Sequence, residues 1–413
     1  MAVSAPRTAI VVGAGIVGLS TAWFLQERGV QVTVVDRAGV AAGSSWGNAG
    51  WISPALTIPL NEPSALRYGL TSLWDPTAPL RIALSADRRM WGFLLRFAAH
   101  CRWPAWRRAA HAAVPINAMI LESYDLLAAG GVDAPMTDGP ITAVFETAEQ
   151  ATRFEAEMRR FADTGQPVDV TRLSGAALRE QVPAASSQVT AAVSVNGQRF
   201  FDPGRFVTAL GRAVTDRGGR LEIAEVTDVR SRDGAAAVTT RDGADLSADV
   251  AVIATGAWLS RLVGRQIRTR VQAGRGYSFT VPTSRPVPTP IYLPDARVAC
   301  TPYRDGLRVA GTMEFRSPDA PAVPARLDAI AAAAAPLLDG INWAQRTDLW
   351  VGPRPLTADG RPLIGALPER GIYVAGGHGM WGIAQGPATG RLLTELITTG
   401  KLPAALREFD PAR

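Results

Sequence analysis

Two stretches of the sequence carry residue types that can do chemistry. In LWVGPRPLTADGRPLIGA, residues 349–366, Arg354 stands between Pro353 and Pro355 in an otherwise apolar, glycine-rich segment. A planar guanidinium can grip a carboxylate through two parallel hydrogen bonds, and the flanking prolines restrict the backbone that aims it. Buried without a partner, such a cation is costly. Arg354 therefore needs an acid, either Asp348 or Asp359 of its own fold or one that arrives with a substrate. Asp359-Gly360 itself reads as a turn.

The second stretch is GAGIVG, where Gly13, Gly15 and Gly18 have the G-x-G-x-x-G spacing. It follows the strand-like TAIVV of residues 8–12 and opens a helix, IVGLSTAWFLQERG, stopped by Gly29. A further strand, VQVTVVD, ends at Asp36, with Arg37 next in line. Gly13 permits a tight turn, Gly15 admits backbone close to a pyrophosphate, and Gly18 lets the helix pack on the strand. The helix start at Ile16 and Val17 presents free N–H groups and a positive dipole end to phosphate. Asp36 is placed to accept ribose hydroxyls and to repel a 2′-phosphate. Strand, helix, strand and acid together predict dinucleotide binding.

The elements that must position these residues are spread along the chain. After Asp36 comes a loop of small residues, RAGVAAGSSWGNAGWISP, which is either an ordinary flexible loop or backbone built to approach a flat ring. Another buried-type strand, ADVAVIATGAW, appears only at 248–258, and a third, GIYVAGGHG, at 371–379 runs into the helix GIAQGPATGRLLTELITTG. Such an order predicts a nucleotide domain assembled from distant segments around a long cofactor held at both ends. FFDPGRFVTALGRAVTDRGG reads as a helix capped by Asp202, and LDAIAAAAAPLLDG as a helix ended by Pro336.

Composition sets the outer limits. With 413 residues, 47% of them apolar, two domains or one interrupted domain of α/β type are expected. Cys101 and Cys300 are far apart, and His100, His111 and His378 are scattered, so neither a disulfide framework nor a metal site is expected. The net charge is +6, yet basic residues are interspersed with acids and only Lys401 is a lysine, so nucleic acid is not an expected partner. The start shows a short polar leader without a secretory pattern, and no window offers about 18 uninterrupted apolar residues. A cytoplasmic enzyme is expected.

GAGIVG with Asp36, SSWGNAGWISP, VIATGAW, GPRPLTADGRPLIG and VAGGHGMWGIAQGPATG, in this order, resemble the D-amino-acid oxidase superfamily of FAD-dependent oxidoreductases. Within it they are most similar to the small D-amino-acid dehydrogenases and to glycine oxidase, over essentially the full chain. The resemblance implies a Rossmann-like FAD-binding domain built from discontinuous segments, 1–56, 172–262 and 347–413. It also implies an α+β substrate domain with a large antiparallel sheet, 57–171 and 263–346.

Residue by residue, it places Gly13, Gly15, Ile16, Val17, Gly18, Asp36 and Arg37 at the ADP half of FAD. Ser44, Ser45, Asn48, Ala49 and Gly50 would run along the ribityl chain and ring. Val226 would meet the adenine, and Ala254, Thr255, Gly256 and Trp258 would close over the nucleotide. Gly352, Gly377, His378, Gly379, Met380, Trp381, Gly382 and Ile383 would face the flavin. A helix beginning near Gly382 could stabilise negative charge on reduced flavin.

For the substrate, the resemblance assigns Arg354 to the carboxylate and Met313 to the pocket wall; Tyr277, on a strand expected to border the flavin, and Tyr303 each offer a hydroxyl that could add a second hydrogen bond to the carboxylate. Cross-strand packing is the alternative for either tyrosine. His378 falls on the flavin-facing segment, where it could equally cap or pack; no base role is assigned to it, because hydride transfer needs a neutral amine and alignment rather than a dedicated base. Two departures from the glycine oxidase pattern, at Gly379–Trp381 and near Ala299, favour a roomier side-chain pocket.

Family oxidases that activate oxygen with a lysine above the flavin find no counterpart in Lys401, and no cysteine lies near 376–386 to form a thioether. The expected cofactor is non-covalent FAD, and the expected reaction oxidation of a D-amino acid to imino and then keto acid, with electrons passing to a quinone or another carrier. A secondary-amine oxidase acting on a sarcosine-, proline- or opine-like substrate with O2 is the alternative, and a non-catalytic FAD-binding subunit a third. Residues 87–111 mix Trp91, Trp103 and Trp106 with six arginines. They read either as a peripheral contact at the inner face of a membrane or as a surface helix packed on the substrate domain.

Overall fold

The computed structural model describes residues 5–65, 80–82, 87–264 and 266–413. The leader at 1–4, and parts of the expected substrate segment 57–171, at 66–79 and 83–86, lie outside the described residues. Among those described, two large sheets organise the chain. The first has six strands in the order Arg220–Ile223, Gln31–Asp36, Thr8–Val12, Val250–Ile253, Ile372–Gly376 and Leu363–Ala366. All pairs are parallel except the last. Parallel strands cannot be joined by tight turns, so neighbours come from opposite ends of the sequence, as the strand patterns predict.

One face of this sheet is covered by two helices that touch directly, Ile16–Glu27 and Gly382–Thr399. Gly390 makes the approach close: a Cβ there would lie 2.7 Å from backbone atoms of Ser20 and Thr21. Helix Pro203–Asp216, capped by Asp202 accepting from the Arg205 N–H at 3.0 Å, joins the same core through Phe206, Val207 and Leu210.

The second sheet has nine strands. Its central run is Thr347–Thr357, Val271–Pro282, Gly306–Phe315, Val298–Tyr303 and Ile291–Leu293, all antiparallel. Beyond these lie Ile141–Phe145, Ala191–Val195 and Val170–Ser174, and Leu80–Ile82 pairs alongside Met313–Phe315. Helix Pro324–Ala334 packs its Leu327, Ile330 and Ala331 on one face. The mixed α/β class is as expected.

The expected domain boundaries need three corrections. Strands Val170–Ser174 and Ala191–Val195 belong to the nine-stranded sheet, so the chain rejoins the nucleotide core only near Pro203 and its sheet at Arg220–Ile223. Thr347–Thr357, expected on the FAD side, is instead the edge strand of the nine-stranded sheet, pairing with Val271–Pro282. Helix Ile120–Ala129, expected in the substrate domain, buries Ile120, Tyr124 and Leu127 in the nucleotide core. Strand pairing is decided by partners far away in sequence, and local patterning does not name them.

Residues 87–111 form two helices, Arg88–His100 and Trp103–Asn117, broken at Cys101–Arg102. Met90, Phe93 and Phe97 pack against Met313, Phe315 and Leu356, which matches the packed-helix reading, while Leu95 projects with 73% of its surface exposed. No described helix is long and apolar enough to cross a membrane.

The helix contact at Gly390 is testable. Gly390→Val inserts methyl groups where backbone already stands, and overpacking of this kind costs about 1–3 kcal/mol. Urea denaturation should show that loss in the midpoint, with an unchanged slope.

Candidate active site

A long cavity runs between the two sheets, from Gly13, Asp36 and Glu225 at one end to Arg354, Met313 and Glu157 at the other. At its first end Gly13 adopts φ +115°, and a Cβ there would lie 2.5 Å from the Ala254 carbonyl oxygen. Gly18 lies behind the wall rather than on it, its α-carbon pressed so close that a Cβ would be 1.9 Å from the Gly13 oxygen. The helix that starts at Ile16 has no side-chain cap on its first turn, although the Ile16 N–H donates to Ser45 Oγ at 3.0 Å. Unpartnered N–H groups at a helix start, facing a cavity, suit an anion.

Asp36 lines the cavity and also braces its rim. One carboxylate oxygen accepts from the Ala14 N–H at 2.8 Å and the other from Ala38 and Gly39 at 2.8 and 3.0 Å. Val226, Ala254, Thr255, Gly256 and Trp258 line the same end. Arg37 lies over the Trp258 ring at 4.1 Å, and both donate to Asp319, at 3.3 and 2.9 Å.

The small-residue loop forms the middle of the wall and is held from within. Ser44 Oγ donates to the Pro353 oxygen at 2.5 Å, and Asn48 donates to the Ser44 and Ser45 oxygens while accepting from the Gly50 N–H at 2.8 Å. Ser44, Ser45, Asn48, Ala49 and Gly50 all line the cavity. Gly50 has φ +69°, and a Cβ there would lie 2.2 Å from the Phe201 oxygen. Gly352 does not line it. Its role, shared with Gly47, is to make room for the Trp350 ring, which a Cβ on either glycine would meet at 1.8 or 2.3 Å. Trp350 itself does line the cavity and carried no sequence signal.

His378, Gly379, Met380, Trp381, Gly382 and Ile383 line the far wall, and Gly377, with φ +75°, stands just behind it. The helix Gly382–Thr399 opens there without a side-chain cap. Its start is clamped from outside by the Tyr124 hydroxyl donating to the Ile383 oxygen and by Trp381 donating to the Ile58 oxygen. His378 is a packing residue. It is 4% exposed, its Nε2 bonds Thr389 Oγ1 at 2.9 Å, and burial pushes its pKa down to about 4, so the ring is neutral.

Arg354 is the chemically distinctive group. Its guanidinium lies across Gly276 on the neighbouring strand, so close that a Cβ there would be 2.3 Å from Nη2. Nη1 donates to the Thr312 oxygen at 3.0 Å. That carbonyl is aimed by a bulge, because the pairing of Val271–Pro282 with Gly306–Phe315 slips between Arg275 and Tyr277, and Thr312 has φ +53°. Among the described residues Arg354 makes no ion pair. Asp359 is taken by Arg361 and Arg413 at 3.0 and 2.9 Å, and Asp348 lies 3.9 Å from Arg308. Burial pushes the guanidinium's pKa down to about 10, which leaves it charged at neutral pH.

The other substrate-side residues divide. Met313 lines the cavity. Tyr277 contributes to the wall, but its hydroxyl is committed to Glu314 at 2.7 Å on the opposite face of the sheet, and burial with that carboxylate pushes its pKa up. Tyr303 is a correction. It is no part of the wall and lies under Arg304 and Arg308, at 4.9 and 4.3 Å. It pairs with Gly306, six residues from Thr312 along the strand, a rise of about 20 Å. Sequence reasoning missed a polar group at the far side, Glu62, Glu157, Tyr292 and Arg297, and the apolar Leu56, Ile58, Leu60 and Phe154. These come from helix Ala148–Ala162, strand Ile291–Leu293 and loops, none with a motif of its own.

The wall fits an extended dinucleotide: close backbone at Gly13, an acid at the ribose position, and an uncapped helix start at each end. A family model described as FAD dependent oxidoreductase matches residues 8–396. A D-amino acid dehydrogenase of Vibrio vulnificus is 29% identical over 420 residues, covering 97% of this chain and 99% of its own. Among solved structures, a glycine oxidase from Geobacillus kaustophilus superposes with a TM-score of 0.74 at 23% identity, covering 100% of this chain and 99% of its own. A dithionite-reduced L-alpha-glycerophosphate oxidase from Mycoplasma pneumoniae, with FAD bound, gives 0.72 at 17%, covering 95% and 94%. Both likenesses bear on the fold alone.

Two outcomes follow from this geometry. Gly276→Ala must displace the Arg354 guanidinium, and titration of the flavin spectrum with a small monocarboxylate should show affinity weakened about tenfold, or 1.4 kcal/mol. His378 is neutral when folded and protonates more readily when unfolded. Its contribution is therefore full above pH 6.5 and is lost as pH falls toward 4. Between pH 7 and pH 5, wild type should lose about 2 kcal/mol more than His378→Gln by urea denaturation.

Proposed function

The chain belongs to the DAO family of FAD-dependent oxidoreductases, and within it we propose that the protein oxidises a D-amino acid at Cα, releasing an imino acid that water converts to keto acid and ammonia. The observation that carries this reading is Arg354, a cavity-facing guanidinium with no acid partner among the described residues, on the strand whose Pro355 oxygen accepts from the Gly379 N–H of the segment Gly379–Ile383. An α-carboxylate supplies the missing partner. With Nη1 held by the Thr312 oxygen, the remaining donors are left to take the carboxylate. Full-length similarity to a relative named D-amino acid dehydrogenase supports the substrate class and the D configuration.

Bound FAD would supply the two-electron acceptor for the hydride leaving Cα. Gly13, Gly15, Ile16, Asp36, Val226 and Thr255 would hold its nucleotide half, and Asn48, Trp350 and Met380–Ile383 its ring. The binding is proposed to be non-covalent. The chain's own contribution to the reaction is placement. Arg354 fixes one end of the substrate, and Met313, Leu56, Ile58, Leu60 and Met380 make the surrounding wall apolar, which excludes water and strengthens the charge pairing. With the His378 ring tied to Thr389, substrate binds with its amine already neutral. Electrons are proposed to pass on to a quinone or another carrier; Lys401, on the exposed C-terminal tail, is no part of the wall.

Anaerobic stopped-flow absorbance with D- and L-amino acids, sarcosine and proline tests the proposal. Bleaching of the visible flavin band by D-amino acids, with slow recovery in air, is expected. Bleaching by sarcosine or proline alone would overturn it in favour of a secondary-amine substrate. Arg354→Gln should retain FAD and lose about 3 kcal/mol of substrate binding, on the order of a hundredfold in kcat/KM.

A further inference from the structure

We propose that the substrate's side chain ends in a positive charge, and that Glu157, seconded by Glu62, is the group that recognises it. The inference rests on the amino-acid reading above and narrows it to basic amino acids of lysine or arginine length.

The first support is the distribution of charge along the cavity. Most charged groups on its wall already have partners within the fold. Asp36 takes three backbone N–H groups, Glu225 pairs with Arg241 at 2.7 Å, and Arg37 and Arg261 share Asp319. Glu157 has no hydrogen bond or ion pair among the described residues, and Glu62 only the Ser64 hydroxyl at 2.9 Å. The wall thus presents an unpaired guanidinium, Arg354, on one side and an unpaired carboxylate, Glu157, on the other. A ligand with an anionic head and a cationic tail completes both.

The second support is spacing. The Arg354 guanidinium rests on the Thr312 carbonyl of strand Gly306–Phe315. From that strand, Ala310 pairs with Ala299, and Ala299 with Tyr292, so Tyr292 stands two strands away, about 10 Å. Helix Ala148–Ala162 covers this side, with the Phe154 ring 6.3 Å from Tyr292 and Glu157 one turn further on. A side chain of four or five atoms spans the gap once charge-assisted contacts of about 2.8 Å are added at each end. Ala299 and Met313 leave the path between apolar and open.

The groups facing Glu157 decide its ionisation. Burial raises its pKa to about 7, the nearby Glu62 charge adds to the rise, and Arg297 and Arg160 offset it only in part. Arg297 also lies near the Tyr292 phenol, where its charge partly offsets the rise that burial gives the phenol's pKa. An acidic side chain would meet two carboxylates here, and an apolar one would leave Glu157 buried without a partner. Neither outcome suits the wall as built.

The test compares D-arginine with D-citrulline, a neutral near-isostere, as reductants of the holoenzyme under anaerobic conditions. A charge-assisted contact contributes about 1.5–3 kcal/mol, so D-arginine should bind on the order of ten- to a hundredfold more tightly. Because both substrates share an α-amine, their ratio cancels its ionisation. That ratio should grow as pH rises through about 7 and Glu157 loses its proton. In Glu157→Gln the ratio should fall toward one, and in Glu62→Gln it should shrink. Equal binding of the two substrates by wild type, or preference for D-glutamate, overturns the assignment whether or not the variants fold. If no amino acid bleaches the flavin, the broader reading has failed instead.

Discussion

An unpaired cation is the constraint on which the rest of this structure depends. Arg354 is held across a strand that is stripped of its side chain at Gly276, steadied by one carbonyl, and given no carboxylate partner among the described residues. Keeping such a group in a largely apolar wall costs free energy unless an anion completes it. The fold carries that cost at a place where two sheets meet and a cavity keeps the guanidinium accessible. Asp348 and Asp359, near in sequence, are kept occupied elsewhere, which leaves the site for an acid from outside.

The strain that supports this arrangement is local. A bulge in strand Gly306–Phe315 and the positive φ of Thr312 turn one carbonyl toward the guanidinium. Behind the same strands, on the opposite face, Tyr277 and Glu314 bond to each other in a buried network with Arg275 3.9 Å away. One face of the sheet is therefore rigid and paired, while the other presents its charge. A bulge next to a functional group is a recurrent device for re-aiming it.

Glycines do comparable work on the nucleotide side. Gly13 admits the Ala254 carbonyl, Gly18 brings the helix onto its strand, and Gly47 and Gly352 together clear a slot for Trp350. The last case shows where sequence reading stops. Gly352 belonged to a recognisable motif, yet the feature it serves is a ring two residues away, and the glycine itself never reaches the cavity wall.

The nucleotide half was legible because its signals are local: strand, glycine turn, helix and acid lie within residues 8–36, and each follows from backbone geometry over a few neighbours. Arg354 was legible for the same reason, through its proline and glycine setting. The identity of its partner was not, since choosing among Asp348, Asp359 and an external acid depends on which strands pair. Tyr303 looked equivalent to Tyr277 by residue type, but strand register carried the first to a far turn and tied the hydroxyl of the second to Glu314. Glu157 and Glu62 belong to no motif, and their pairing with the same cavity arises only when helix Ala148–Ala162 folds over strand Ile291–Leu293. Local sequence determined the cofactor cradle and the candidate anchor; long-range strand pairing and helix packing, whose partners lie tens to hundreds of residues apart, decided what faces them.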